Sequence, residues 1–276
     1  MIQYLYLGRM AYGEALRLQF ELVDLRYQGR IGNVLLLLEH PPVLTLGRNA
    51  DRANVLASDA MLAARGVTLH HINRGGDVTY HGPGQLVGYP IFDLRTFRNP
   101  RGSRMGPVDF VRQMEEALIR LCGVYGVRAG RIPGLTGVWC GLPGSQDSSK
   151  ESRKIGAIGI HVSRGITSHG FAFNVTTNLD DFRLINPCGI TDKPVTSLER
   201  EITDPARVPT LEAIADQAAR QFGLVFNEPI LAVASLDDLR AAAGAFSPPQ
   251  MPDDTPLQVP PEVERLRGKM EPPVRA

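Results

Sequence analysis

At 276 residues, 43% hydrophobic and 21% charged, the chain has the length and composition of an ordinary folded domain with ample material for a core. Its formal net charge of +1 argues against bulk attraction to nucleic acid or an anionic membrane, and its longest apolar run, residues 34–38, is far too short to span a bilayer. Three widely spaced cysteines argue against a disulfide framework or a cysteine zinc site.

The first residues, Met1-Ile2-Gln3-Tyr4, lack the charged and apolar blocks of a secretory signal, so a cytoplasmic protein is expected. Ala11, Ala15, Leu18, Leu22 and Leu25 recur at helical spacing, with Gly29 placed to end the helix. Residues 33–39 carry five consecutive aliphatics, the pattern of a strand buried on both faces. Pro41-Pro42 turns the chain into a short strand over 43–48, and Ser58 is a good N-cap for a short helix that stops at Gly66. Strands are expected over 67–72 and 86–92, holding the loop between them rigidly at a sheet edge.

Residues 107–125 give the clearest helix, with Phe110, Met114, Leu118 and Leu121 along one face. A short strand over 137–140 precedes a polar, Ser- and Gly-rich stretch, 143–153, read as an exposed insertion. Strands over 154–162 and 170–175 meet at Arg164-Gly165 as a hairpin, and Leu211, Ile214, Ala215, Ala218 and Phe222 mark a last helix. From Ser247 the chain is Pro-rich and strongly charged; a disordered tail over 247–276 is expected, leaving 1–246 as one domain. Several strand pairs are joined too tightly for parallel crossovers, so the expected fold is α/β with a mixed, largely antiparallel sheet and flanking helices.

The densest signal lies between Arg74 and Gln85, where four glycines and a proline are mixed with Arg, Asp, Thr, Tyr, His and Gln. A flexible linker would be Gly and Ser without aromatics; this composition reads as a loop shaped against a ligand. No Gly-x-x-x-x-Gly-Lys-Ser/Thr phosphate loop is present, no Gly-x-Gly-x-x-Gly follows a strand, and the histidine spacing matches no zinc pattern. Neither a metal nor a cofactor is expected.

Cys188 and Lys154 stand out as a possible reactive pair. Cys188 lies between Pro187 and Gly189, on an irregular turn that can present a thiol instead of packing it. Only about 3% of a free cysteine is thiolate at pH 7, and a neighbouring ammonium can raise that fraction greatly. Lys154 opens a glycine-interrupted strand, although an isolated lysine is most often a solvated surface residue. The sequence alone does not bring the two together. Cys122, late in an amphipathic helix, and Cys140, behind Trp139, read as small core residues. His81 and His169 neighbour glycines and are expected to hydrogen-bond or pack.

Four stretches in this order, Arg74 to Gln85, Lys154 to Gly159, Ser168 to Val175 and Asn186 to Ile190, closely resemble the bacterial lipoyl(octanoyl) transferases. The resemblance runs from about Tyr4 to about Phe226. It implies the fold of lipoate- and biotin-protein ligases, and octanoyl transfer from octanoyl-acyl carrier protein to a lysine of the lipoyl domains of 2-oxoacid dehydrogenases and of the glycine cleavage H protein. It further implies Cys188 as a nucleophile that forms an octanoyl thioester, Lys154 as the group that lowers its pKa, and a monomer. Arg74, Gly75, Gly76, Asp77, Val78, Thr79, Tyr80 and His81, with Ala157, Ile158 and Gly159, and Gly170, Phe171 and Ala172, fall where the family binds its acyl substrate. A thioester donor is already activated, so transfer needs no ATP. Glycines 75, 76, 82 and 84 are candidates to bring backbone N–H groups to the developing oxyanion, and Ile158, Phe171 and Phe173 to line an acyl slot or simply to be core. The alternatives are an ATP-dependent lipoate- or biotin-protein ligase, which needs no cysteine at 188, and a non-catalytic acyl-carrier or lipoyl-domain binding protein.

Overall fold

The run Val34 to Leu38 sets the architecture. Residues 33–39 are buried throughout. Leu35 and Leu37 face one core while Val34, Leu36 and Leu38 face another, as strand alternation requires when both faces are covered. Each such aliphatic contributes about 1.5–3 kcal/mol on burial. A computed structural model describes residues 1–99, 102–142, 151–186 and 193–244, without the side chain of Ala242. Pro143 to Lys150, Cys188 with its immediate neighbours, and the tail from Ser247 lie outside the described residues.

In chain order the elements are β1 (Ile2–Arg9), α1 (Tyr12–Tyr27), β2 (Asn33–Glu39), β3 (Val43–Leu46), α2 (Asp59–Ala64), β4 (Thr68–His71), β5 (Val78–His81) and β6 (Gln85–Ile91). They continue with α3 (Pro107–Val124), β7 (Ala129–Ile132), β8 (Leu135–Cys140), β9 (Arg153–Ser163), β10 (Ile166–Asn174), α4 (Leu198–Glu201), α5 (Leu211–Phe226), β11 (Ile230–Ala232) and α6 (Leu236–Ala243). Among the described residues these strands form an eight-stranded sheet in the order β11-β1-β2-β6-β10-β9-β8-β7 and a three-stranded sheet in the order β4-β3-β5. The β1 pairings with β2 and β11 are parallel and the rest of the large sheet is antiparallel. This is the mixed, largely antiparallel sheet expected.

α3 and α5 pack on one face of the large sheet through Phe110, Met114, Leu118, Phe222 and Phe226, and α1 covers the other through Ala15, Leu18, Leu22 and Leu25. Gly29 takes φ 72° just beyond the end of α1, where a left-handed residue lets the chain leave the helix. Ser58 caps α2 by accepting from Met61 N. Among the described residues no helix is long and apolar enough to cross a membrane.

The glycine-rich segment departs from expectation. Its flanking strands do not share a sheet edge: β4 belongs to the small sheet and β6 to the large one. A third of the presumed loop is itself β5, antiparallel to β3. Only four residues long and bounded by glycines, β5 is too short for alternation to announce it. The segment is therefore a bridge between two sheets, anchored in both. Arg153, assigned to the polar insertion, is the first residue of β9 and makes a two-pronged ion pair with Glu201 at 2.9 and 3.0 Å. The edge strands β7 and β11, and β1 beside β11, carry weaker apolar patterns and were not anticipated.

Candidate active site

Strand pairing brings together stretches that lie far apart in sequence. β10 runs against β9 with Gly170 opposite Gly159, Phe171 opposite Ile158 and Ala172 opposite Ala157. The start of the glycine-rich bridge then rests on β9: Gly75 N donates to Ile160 O at 3.0 Å, and a Cβ on Gly159 would stand 2.7 Å from Gly75 O. Only a glycine permits that approach. Between these elements and the N-terminal turn of α3 lies a cavity of about 590 Å³.

Arg74, Gly75, Gly76, Val78, Thr79, His81, Ala157, Ile158, Gly159, Gly170, Phe171 and Ala172 line this cavity, and so does Lys154. Asp77 and Tyr80 do not. Asp77 Oδ2 accepts from Asn54 Nδ2 at 2.6 Å and its carbonyl accepts from Arg74 Nη2 at 2.6 Å, so it braces the bridge. Tyr80 is buried in the core of the small sheet, and its hydroxyl donates to Asp181 Oδ2 at 2.9 Å. Phe173 is also core, fully buried against the α3 and α5 cluster. Arg74 donates to the carbonyls of Gly75 at 2.8 Å, Thr45 at 3.2 Å and Asp77 at 2.6 Å, which fixes the curve of the backbone. The amides of Gly75 and Gly84 are engaged, the first by Ile160 O and the second by Glu39 Oε2 at 2.9 Å. They are therefore not free to receive an oxyanion.

Cys188 lies outside the described residues; of its two flanks, residues 194–196 are anchored beside Lys154 and Asn186 is anchored at Asn54. Asn186 N donates to Asn54 O at 2.7 Å. On the other side Lys154 N donates to Pro194 O and Thr196 N to Lys154 O, both at 2.9 Å, in a parallel bridge at Val195. The Lys154 ammonium sits 4.6 Å above the centre of the Trp139 ring. The other two cysteines are buried free thiols. Burial, with a smaller push from Glu201, drives Cys140 up to about 12, and burial with the neighbouring Cys140 holds Cys122 well above its ordinary value.

One wall of the cavity carries Tyr12, Tyr89, His81 and His169, with His40 packed behind; of these the sequence singled out only the two glycine-flanked histidines. Tyr12 stacks on His81 at 6.2 Å and stands 5.1 Å from the rings of His40 and His70. His40 Nε2 lies 2.6 Å from the Tyr89 hydroxyl, His81 Nδ1 2.8 Å from Gln85 Oε1, and His169 Nε2 2.7 Å from Asn73 Oδ1. Burial pushes His40 down to about 4 and His81 and His169 down to about 3, so all three imidazoles are neutral at pH 7. The available signal was Glu39-His40 at the end of a doubly buried strand, where polar side chains need partners. Among the described residues no group of three or more His, Cys, Asp or Glu side chains is arranged to hold a metal ion.

Comparison with known proteins gives the family and the fold. The family described as the lipoyl protein ligase A/B catalytic domain matches residues 11–223. An octanoyltransferase from Acidobacterium capsulatum is 60% identical over 240 residues, covering 87% of this chain and 96% of the relative. One from Koribacter versatilis is 50% identical over 266 residues, covering 96% and 97%. Among solved structures, the bipartite lipoate protein ligase of Thermoplasma acidophilum has a TM-score of 0.63 at 16% identity, over 87% of this chain and 89% of the other. A lipoate-protein ligase A bound with ATP has a TM-score of 0.61 at 15% identity, over 88% and 93%. At those identities the structural likeness speaks for the fold alone.

Proposed function

As a member of the octanoyltransferases that share the lipoyl protein ligase A/B catalytic domain, this chain moves octanoyl groups in protein lipoylation, and we propose that it does so through a thioester on Cys188 kept ionised by Lys154. The donor in this reading is octanoyl-acyl carrier protein. The acceptor is a lysine on the lipoyl domain of a 2-oxoacid dehydrogenase or on the glycine cleavage H protein. The observation that carries the reading is the position of Lys154. It lines the same cavity as Arg74 to Gly76, Ala157 to Gly159 and Gly170 to Ala172, while its own backbone pairs with residues 194–196, just past the segment that holds Cys188.

In the first half-reaction the Cys188 thiolate attacks the thioester carbonyl of the donor. The bond to the carrier sulfur breaks, and the carrier leaves as a thiol after taking a proton from the Lys154 ammonium, which is left neutral for the second half-reaction. In the second the acceptor lysine attacks as the neutral amine, its nitrogen passes a proton to the neutral Lys154 or to a water it holds, and an amide forms as the Cys188 thiolate leaves. No ATP enters either step. Val78, Val87, Ile158 and Phe171 offer the tail an apolar wall, and burial of about six methylenes contributes about 5 kcal/mol.

The test is to incubate the protein with octanoyl-acyl carrier protein in the absence of ATP and record its intact mass. An octanoyl adduct that hydroxylamine removes is expected. No adduct, together with ATP-dependent labelling of a lipoyl domain by free octanoate, would sink the transferase mechanism in favour of a ligase.

The contact between Gly159 and the bridge gives a second expectation. Gly159→Ala must push the Gly75 carbonyl and the Arg74 side chain outward, at a cost of about 1–3 kcal/mol. Octanoyl transfer should fall about tenfold or more, with a loss of only a few degrees in the melting temperature. Gly123→Ala is the control. It lies in α3 with nothing within 4 Å of an added Cβ, so it should leave transfer unchanged and stabilise slightly. Equal transfer by the two variants would show that the bridge does not shape the site.

A further inference from the structure

The side chain of Lys154 owes its direction to an irregularity in the sheet. Val138 pairs with Gly156, yet the next residue, Trp139, pairs with Lys154 instead of Ile155. One extra residue, Ile155, is thus inserted into β9, a bulge that sends the side chains beyond it to the opposite face. Ile155 is fully buried in the core under α3. Lys154 is turned the other way, across the ring of Trp139 and along Gly137, where a Cβ would come within 3.4 Å of the Lys154 Cε.

β8 is itself held from behind. Gly137 adopts φ 127° and its N–H donates to Glu115 Oε1 at 3.0 Å. Glu115 is fully buried and receives Arg112 at 2.6 Å and Arg131 at 3.0 Å on its other oxygen. A paired buried carboxylate fixes the register of α3 against β8, and so fixes the Trp139 ring. That ring is completely buried, and its Nε1 makes no hydrogen bond among the described residues. The indole therefore contributes its face and not its donor. The face of an indole is the strongest cation–π acceptor among side chains.

We propose that Trp139 is the positioning residue of Lys154, holding its ammonium over the indole face so that the charge stays beside the reacting thiol instead of swinging into solvent. The proposal rests on the Cys188 and Lys154 reading above. Trp139 touches no reacting atom and acts through Lys154 alone.

The experiment measures iodoacetamide alkylation of Cys188 in the full chain from pH 5.5 to 10, by intact mass and peptide mapping. Cys122 and Cys140 are buried with raised thiol values and do not compete. Trp139→Met keeps an apolar, adaptable filling without a ring face. It should move the half-maximal pH upward by about half a unit to one unit, so that alkylation at pH 5.5, below the transition, slows about threefold to tenfold. Trp139→Phe retains a weaker ring face and should lie between Met and the wild type. In a Lys154→Ala background, Trp139→Met should add no further shift.

Folding of each variant is checked by its thermal transition, and if Trp139→Met does not fold, the Phe variant alone decides. A wild-type profile in a folded variant overturns the proposal, as does a Met shift of the same size with Lys154 absent. If Lys154→Ala itself leaves the profile unchanged, the Lys154 reading fails first. If it shifts the profile while the Trp139 variants do not, only the role of Trp139 is lost.

Discussion

Cys188→Ala is expected to abolish octanoyl transfer, with a loss on the order of 10⁴-fold or more, because it removes the atom to which the acyl group is bonded between the two half-reactions. Neither remaining cysteine can take over. A thiol pushed up to about 12, as at Cys140, is thiolate in only about one molecule in 10⁵ at pH 7, and Cys122 lies on the fully buried face of α3. Cys122→Ala and Cys140→Ala should each keep transfer within about twofold of wild type while losing about 1–2 kcal/mol of stability from the buried volume. The measurement is the rate of lipoyl-domain octanoylation from the acyl carrier protein donor without ATP, with the adduct followed by mass. Substantial ATP-independent transfer by Cys188→Ala would show that the acyl group passes directly between carriers.

What the sequence disclosed follows from how locally each feature is encoded. The doubly buried β2 was legible because five aliphatics in a row have one reading in a sheet covered on both faces. The bridge from Arg74 was legible as a site because glycines among hydrogen-bonding residues have few structural uses. Its division between two sheets was not, since β5 pairs with β3 more than thirty residues away. The placements of Asp77 and Tyr80 failed for the same reason. Their partners Asn54 and Asp181 come from other parts of the chain, and no local pattern announces them. Lys154 was singled out from sequence and lines the cavity, whereas the ring beneath it was not singled out, because a one-residue bulge at Ile155 decides which side chain faces Trp139. Tyr12 and His40 enter the site only because the start of α1 meets the end of β2.

That hidden wall of histidines carries the second large expectation, a loss of stability on mild acidification. His40, His81 and His169 are held neutral in the folded state at about 4, 3 and 3, against an ordinary value of 6.5. The unfolded chain therefore binds protons that the folded chain refuses, and stability present above pH 6.5 drains as the pH falls below it. Each imidazole contributes about 1.4 kcal/mol per pH unit, so three give a slope of about 4 kcal/mol per unit. Integrated from pH 6.5, where the unfolded imidazoles are half-protonated, to pH 4.5, the loss is about 7 kcal/mol, comparable to the entire stability of an ordinary domain. The carboxylates held low by their arginines, Asp93 and Glu116, and Asp216, held by Tyr4 and Arg220, add in the same direction only below about pH 4.5, which leaves the window to the imidazoles. Urea unfolding at half-unit steps should show an uptake approaching three protons across it, and His81→Gln should reduce that by about one. An uptake below one proton would mean that these histidines are solvated or charged in the folded protein. His81 stacks on Tyr12, His40 packs against both of those rings and His169 lines the same cavity, so acid unfolding should begin at the active site and abolish transfer before the sheet's own cores are exposed.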